Sequence, residues 1–142
     1  MKKLHLTLII GALSALWTLG ANVERAGAVA FFKKGFEARY VKEEPSTDAE
    51  KSIAAAVKQT KCYVCHVKGQ KKKIRNIYGE ALSKLLDKDN FKASRRKAEP
   101  DKAMAEVQAA LEKVEAMKVD PKAADSPTYG DLIKAGKLPA AK

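Results

Sequence analysis

The sequence predicts an all-α domain, and three observations predict it. Apolar residues recur at three- and four-residue spacing in several segments, and helix-start signatures precede them. No segment sustains the period-two alternation of a half-buried strand. Of the 142 residues, the first 30 read as an export signal. The remainder is one small domain by size, divided here into an arm over 31–46 and a helical domain over 47–138.

Met1-Lys2-Lys3 is a short positive region, Leu4 to Gly20 is an apolar run, and Ala28-Val29-Ala30 is a small-x-small site. That order is the pattern of a cleaved export signal. Cleavage is placed after Ala30, with Gly20 and Ala28 as the other candidates. An apolar run of 17 residues is at the short end for a span, and an uncleaved membrane anchor is the alternative reading. Phe31 to Glu44 mixes Phe31, Phe32, Phe36, Tyr40 and Val41 with charges, which predicts a loosely ordered arm that pins its aromatics onto the domain. Pro45 ends it. Thr47 with Glu50 three residues on is a capping box, and Ile53, Ala54, Ala56 and Val57 give the stripe of a helix from about Asp48 to Thr60.

This helix delivers the chain to Cys62-Tyr63-Val64-Cys65-His66. Two cysteines three apart can reach the two vinyl groups on one edge of a haem, and the next residue, a histidine, is then placed under the ring. The spacing is the c-type haem attachment signature, with His66 as the iron ligand. A structural zinc site competes with it, but zinc usually takes four Cys/His ligands, and these are the only cysteines. A thioredoxin-like dithiol would need a preceding strand and a βαβ pattern. A plain disulfide or two buried thiols would leave His66 unexplained.

Beyond the motif, Lys68 to Arg75 reads as a basic loop, and Ile77 to Leu86 as a second helix. Asp87 to Glu99 is expected to be loop. Pro100 opens a helix carrying Met104, Val107, Leu111 and Val114 to about Lys118, stopped by Asp120-Pro121. A last short helix is expected to start with Ser126 as cap and Pro127 at its first position, to turn Tyr129, Leu132 and Ile133 inward, and to end at Gly136.

With that order of elements the chain resembles the small single-haem cytochromes c of the class I type. The matching features are a helix leading into Cys62-Tyr63-Val64-Cys65-His66, a loop, further helices, and a closing helix with Tyr129. Arg75-Asn76-Ile77-Tyr78-Gly79 and Pro127-Thr128-Tyr129-Gly130-Asp131-Leu132-Ile133 also resemble segments of short basic haem proteins of planctomycete bacteria. The resemblance implies a cytochrome c-like helical domain around one covalent haem c, with His66 on one side of the iron and usually a methionine on the other. His5 leaves with the signal, so a second histidine ligand from the same chain is excluded. Met104 and Met117 remain. Met104 lies on the apolar stripe of its helix, where core packing competes with ligation. Met117 has the family's order, between an inner helix and the last one, and is the expected sixth ligand, although it also continues the Val107–Ala110–Val114 face. A lysine ligand or an open iron is the outcome where neither methionine reaches.

The charge is strongly placed. Residues 61–100 hold twelve Lys and Arg against four Asp and Glu, notably Lys61, Lys68, Lys71-Lys72-Lys73, Arg75 and Arg95-Arg96-Lys97. Clustered cations invite a nucleic-acid reading, but an exported protein rarely meets nucleic acid, and this patch lacks interleaved aromatics for base stacking. A solvated face is the plain alternative. As a functional feature, a basic rim around a haem edge steers encounters with acidic redox partner proteins or holds the chain loosely at an anionic membrane surface. The sequence therefore points to a monomeric periplasmic carrier of single electrons and not to an enzyme, since the cleaved chain keeps no second histidine for distal acid–base work. A gas-binding or sensing haem protein with an open or weakly filled sixth site is the alternative.

Overall fold

The structure is a computed structural model and describes residues 30–140. The export signal expected over residues 1–30 therefore lies, but for its last residue, outside the described residues. Six α-helices make up the fold: α1 over 30–40, then α2 (Asp48–Thr60), α3 (Ile77–Ser83), α4 (Ala93–Ala98), α5 (Pro100–Glu115) and α6 (Tyr129–Lys134). Short 3₁₀ turns occupy Lys61–Val64 and Lys88–Phe91. Among the described residues there is no strand, only the isolated bridges His66–Arg75 and Lys118–Thr128. The all-α class predicted from the periodicity is the class observed.

The helix α2 forms where its signals put it. The Thr47 hydroxyl accepts from the Glu50 N–H, Glu50 reaches back to the Thr47 N–H, and Ile53 and Val57 face inward. Along α5 the residues Ala103, Val107, Ala110, Leu111 and Val114 are buried, one stripe at the spacing of a helix that packs by a single face. Around it gather Phe36 of α1, Tyr78 of α3, Phe91, and Tyr129 and Ile133 of α6.

The expected arm is instead a helix. Phe32, Phe36 and Tyr40 fall four apart, a spacing that puts them on one face, and Phe36 enters the core while Phe31, Phe32, Tyr40 and Val41 pack against it. The aromatics are pinned as expected, but by a regular element that belongs to the same core as residues 47–138. On its polar side Arg39 Nη2 donates to Glu115 Oε2 at 3.0 Å, and Gln108 Nε2 donates to the Gly35 carbonyl at 2.9 Å.

Three further expectations are corrected. The second helix stops at Ser83, because Leu85 and Leu86 both turn back onto the Leu82 carbonyl. The stretch Asp87–Glu99 is not a loop: it holds a 3₁₀ turn and α4, anchored by the buried Phe91 and by Arg95 and Arg96, which donate to the Asn90 and Phe91 carbonyls. The last helix does not start at Ser126-Pro127. Thr128 caps α6 in a reciprocal pair with Asp131, while the Ser126 hydroxyl accepts from the Asp120 N–H. Gly136 ends α6 as expected, at φ 75°, where a Cβ would lie 2.8 Å from the Ala49 carbonyl oxygen of α2.

Candidate functional site

Helix α2 ends abruptly. Lys61 adopts φ 54°, the only positive φ at a non-glycine residue among the described residues, and the backbone passes into the Lys61–Val64 turn. Cys65 N–H donates to the Cys62 carbonyl at 3.3 Å, so Cys62 and Cys65 sit at the two ends of one tight turn with both thiols free. His66 then leaves in extended geometry and pairs with Arg75. Between them the chain folds back through Gly69 at φ 80°, with Val67 N–H donating to the Ile74 carbonyl at 3.2 Å. The positive φ suits glycine, which has no Cβ to clash.

The segment after this loop closes on the turn. Asn76 Nδ2 donates to the carbonyls of Tyr63 (3.3 Å) and Val64 (2.9 Å), and the Asn76 N–H donates to that of Cys65 (3.1 Å). Asn76 Oδ1 meanwhile accepts from the Gly79 N–H at 2.9 Å and caps α3. Helix α3 presses so close that a Cβ on Gly79 would lie 2.0 Å from the Cys65 carbonyl oxygen.

Burial dominates the electrostatics of Cys65 and His66. Burial, with Cys62 adding to it, pushes the Cys65 thiol up to about 12. Reactive dithiols lower the pKa of a cysteine, so this environment disfavours a thiolate. Burial also lowers His66; the cations of Arg75 and Lys72 reinforce this, and the Ile74 carbonyl opposes it. Two buried side-chain polar atoms among the described residues have no hydrogen-bond partner, and they are His66 Nδ1 and the Tyr78 hydroxyl. Tyr78 is fully buried, stacks edge-on against Tyr129 (5.3 Å) and Phe36 (5.9 Å), and is raised well above the usual phenol range by burial first, with Tyr40 and Cys65 contributing. The Tyr40 hydroxyl is near but out of bonding geometry; it donates to Glu115 Oε2 at 3.3 Å. Tyr63 in the turn and Val67, Ile74 and Ile77 after it are exposed, Ile77 by 53 %.

The structure brings Cys62, Cys65 and His66 into one turn. Met117 stands apart from the core, 40 % exposed on the segment after α5, with its carbonyl accepting from the Tyr129 N–H at 3.0 Å. Met104 is packed against the core, its sulfur 3.9 Å from Gln108 Nε2. The basic cluster divides. Lys61, Lys68, Lys71, Lys72, Lys73 and Arg75 are exposed, whereas Arg95 and Arg96 lie over the rings of Phe91 and Phe31. No three His, Cys, Asp or Glu side chains converge as a metal-ion site among the described residues. Sequence reasoning missed the roles of Asn76 and Tyr78. An asparagine immediately before an apolar helical stripe is a cap signal, but nothing local reveals that its amide reaches the motif. No protein-family model, curated protein or solved structure matches the chain.

Proposed function

We propose that this chain is an exported monohaem c-type cytochrome of the class I-like kind that carries single electrons, as a monomer, between acidic redox partners. The observation that carries the reading is Cys62-Tyr63-Val64-Cys65-His66 held in one tight turn with both thiols free. Cys62 and Cys65 would each add S–H across a vinyl C=C, the sulfur bonding one carbon and the hydrogen the other, so that nothing leaves. His66 would supply a ring nitrogen to hold the iron. The bound haem supplies a reversible one-electron couple.

The residues fit that group on two counts. Both orphaned buried polar atoms, His66 Nδ1 and the Tyr78 hydroxyl, belong to groups beside Cys65. The exposed apolar side chains of Tyr63, Val67, Ile74 and Ile77 offer a surface to a flat apolar ligand, and its burial there would exclude water from His66. The competing dithiol reading gains no support from a thiol raised to about 12. The exposed Lys68, Lys71, Lys72 and Lys73 would steer acidic partners or lie at an anionic surface. In this reading residues 1–30 direct the chain to the periplasm; among the described residues no helix is long and apolar enough to cross a membrane.

Met117 is the proposed sixth ligand. Its exposure favours a second reading, a gas-binding or sensing haem protein in which the sixth position stays open. Mass spectrometry of the exported protein tests the first claim: the expected mass is that of the cleaved chain plus one haem that survives denaturation. A bound zinc or a free dithiol would overturn it. An optical spectrum of the reduced protein with and without carbon monoxide separates the two readings, because ready binding of the gas means an open site.

A further inference from the structure

The Cys62–Cys65 turn has four backbone carbonyls, and all four are accounted for. Cys65 N–H takes that of Cys62, and one residue, Asn76, takes the other three: its side-chain amide those of Tyr63 and Val64, its backbone N–H that of Cys65. A 3₁₀ turn is by itself a weak element, and carbonyls at a helix exit otherwise go to water. Here they go to a residue whose other side-chain atom, Oδ1, fixes the start of α3 through Gly79 N–H. Gly79 lets that helix sit against the turn, since any side chain would drive a Cβ to 2.0 Å from the Cys65 oxygen.

We propose that Asn76, seated by Gly79, is a positioning residue that holds the Cys62–Cys65 turn in its attachment shape before haem arrives. That role rests on the haem reading and adds to it a templating task for α3. Two thiols must meet two fixed points on one edge of a rigid, flat ligand. Their directions are set by the backbone of the turn, so fixing that backbone removes an ordering cost from attachment.

Asn76→Asp separates this role from simple helix capping. Aspartate caps a helix as well as asparagine does, but a carboxylate cannot donate to the Tyr63 and Val64 carbonyls and repels them. The test takes two measurements on full-length exported protein: the fraction of chain carrying covalent haem, and the amide exchange rate of Cys65. In Asn76→Asp and Asn76→Ala the attached fraction is expected to fall severalfold, and Cys65 exchange to rise about tenfold as two hydrogen bonds are lost, with the helical circular dichroism of Asn76→Asp unchanged. Gly79→Ala should do the same by displacing the Cys65 carbonyl. Wild-type attachment and exchange in Asn76→Asp would overturn the proposal and leave Asn76 a helix cap only. A wild-type chain that never takes haem, but whose Cys65 exchange still rises in Asn76→Asp, would overturn the haem reading while supporting the clamp.

Discussion

A buried hydroxyl without a partner costs about 1–3 kcal/mol, and Tyr78 carries that cost at full burial. In haem-free protein, Tyr78→Phe is expected to raise stability by up to about 1 kcal/mol, measured by urea unfolding. The same substitution in haem-loaded protein should lower it where the hydroxyl has found a partner. The methionines separate as sharply. Met117 is 40 % exposed, so Met117→Ala is expected to change stability by less than about 0.5 kcal/mol, whereas Met104→Ala, which empties a packed site, should cost about 2 kcal/mol or more. If the proposed haem shows a red methionine–iron band, its loss in Met117→Ala, checked by absorption spectroscopy, is then assigned to ligation and not to unfolding. At this scale the candidate site was legible as a motif because Cys62, Cys65 and His66 lie within five consecutive positions. Asn76 and Tyr78 were not, because their roles depend on a turn more than ten residues back and on rings from α1 and α6.

Helices whose signals are local were legible as well. The reciprocal Thr47–Glu50 pair and the five-residue buried stripe of α5 sit within a few residues of the positions they control. Helices α1 and α4 are different. They are stabilised by each other's neighbourhood, through Phe31 and Phe32 against Phe91 and the guanidiniums of Arg95 and Arg96 over those rings, which no local pattern displays. The cap of α2 also makes a pH prediction. The Glu50 carboxyl is held down to about 2 from 4.5, by the Lys42 ammonium first and then by the backbone N–H groups of Ser46 and Thr47. A carboxyl depressed in the folded state stabilises above its unfolded value, and that contribution drains away as pH falls from 4.5 through about 2. Thermal melts across this window should show wild type losing stability with acid, and Glu50→Gln should flatten the dependence.

For the molecule as a whole, one core spans the chain from Phe36 to Ile133. Phe36→Ala is therefore expected to cost about 3–5 kcal/mol by calorimetry or denaturant unfolding, a large share of the roughly 5–15 kcal/mol of a domain this size. Charge is organised at the same scale. The lysines of the 68–73 loop stay exposed while Arg95 and Arg96 pack over rings, so in the proposed carrier the loop is the surface that would steer partners. Rates of partner reduction should fall as salt rises, and replacing Lys71, Lys72 and Lys73 with Gln should weaken that dependence. Rates indifferent to salt would make the loop a solvated surface only.

The Arg39–Glu115 contact joins residues 76 apart in sequence, and it gives the molecule a timetable. Helix α1 is made early but cannot close this contact until α5 exists, a delay of about 4–15 seconds at ordinary rates of synthesis. Cysteines 62 and 65 emerge within that interval. Cys65 is only half-buried in the finished fold, so its thiol stays within reach after closure, and in the proposed cytochrome covalent loading need not outrun folding.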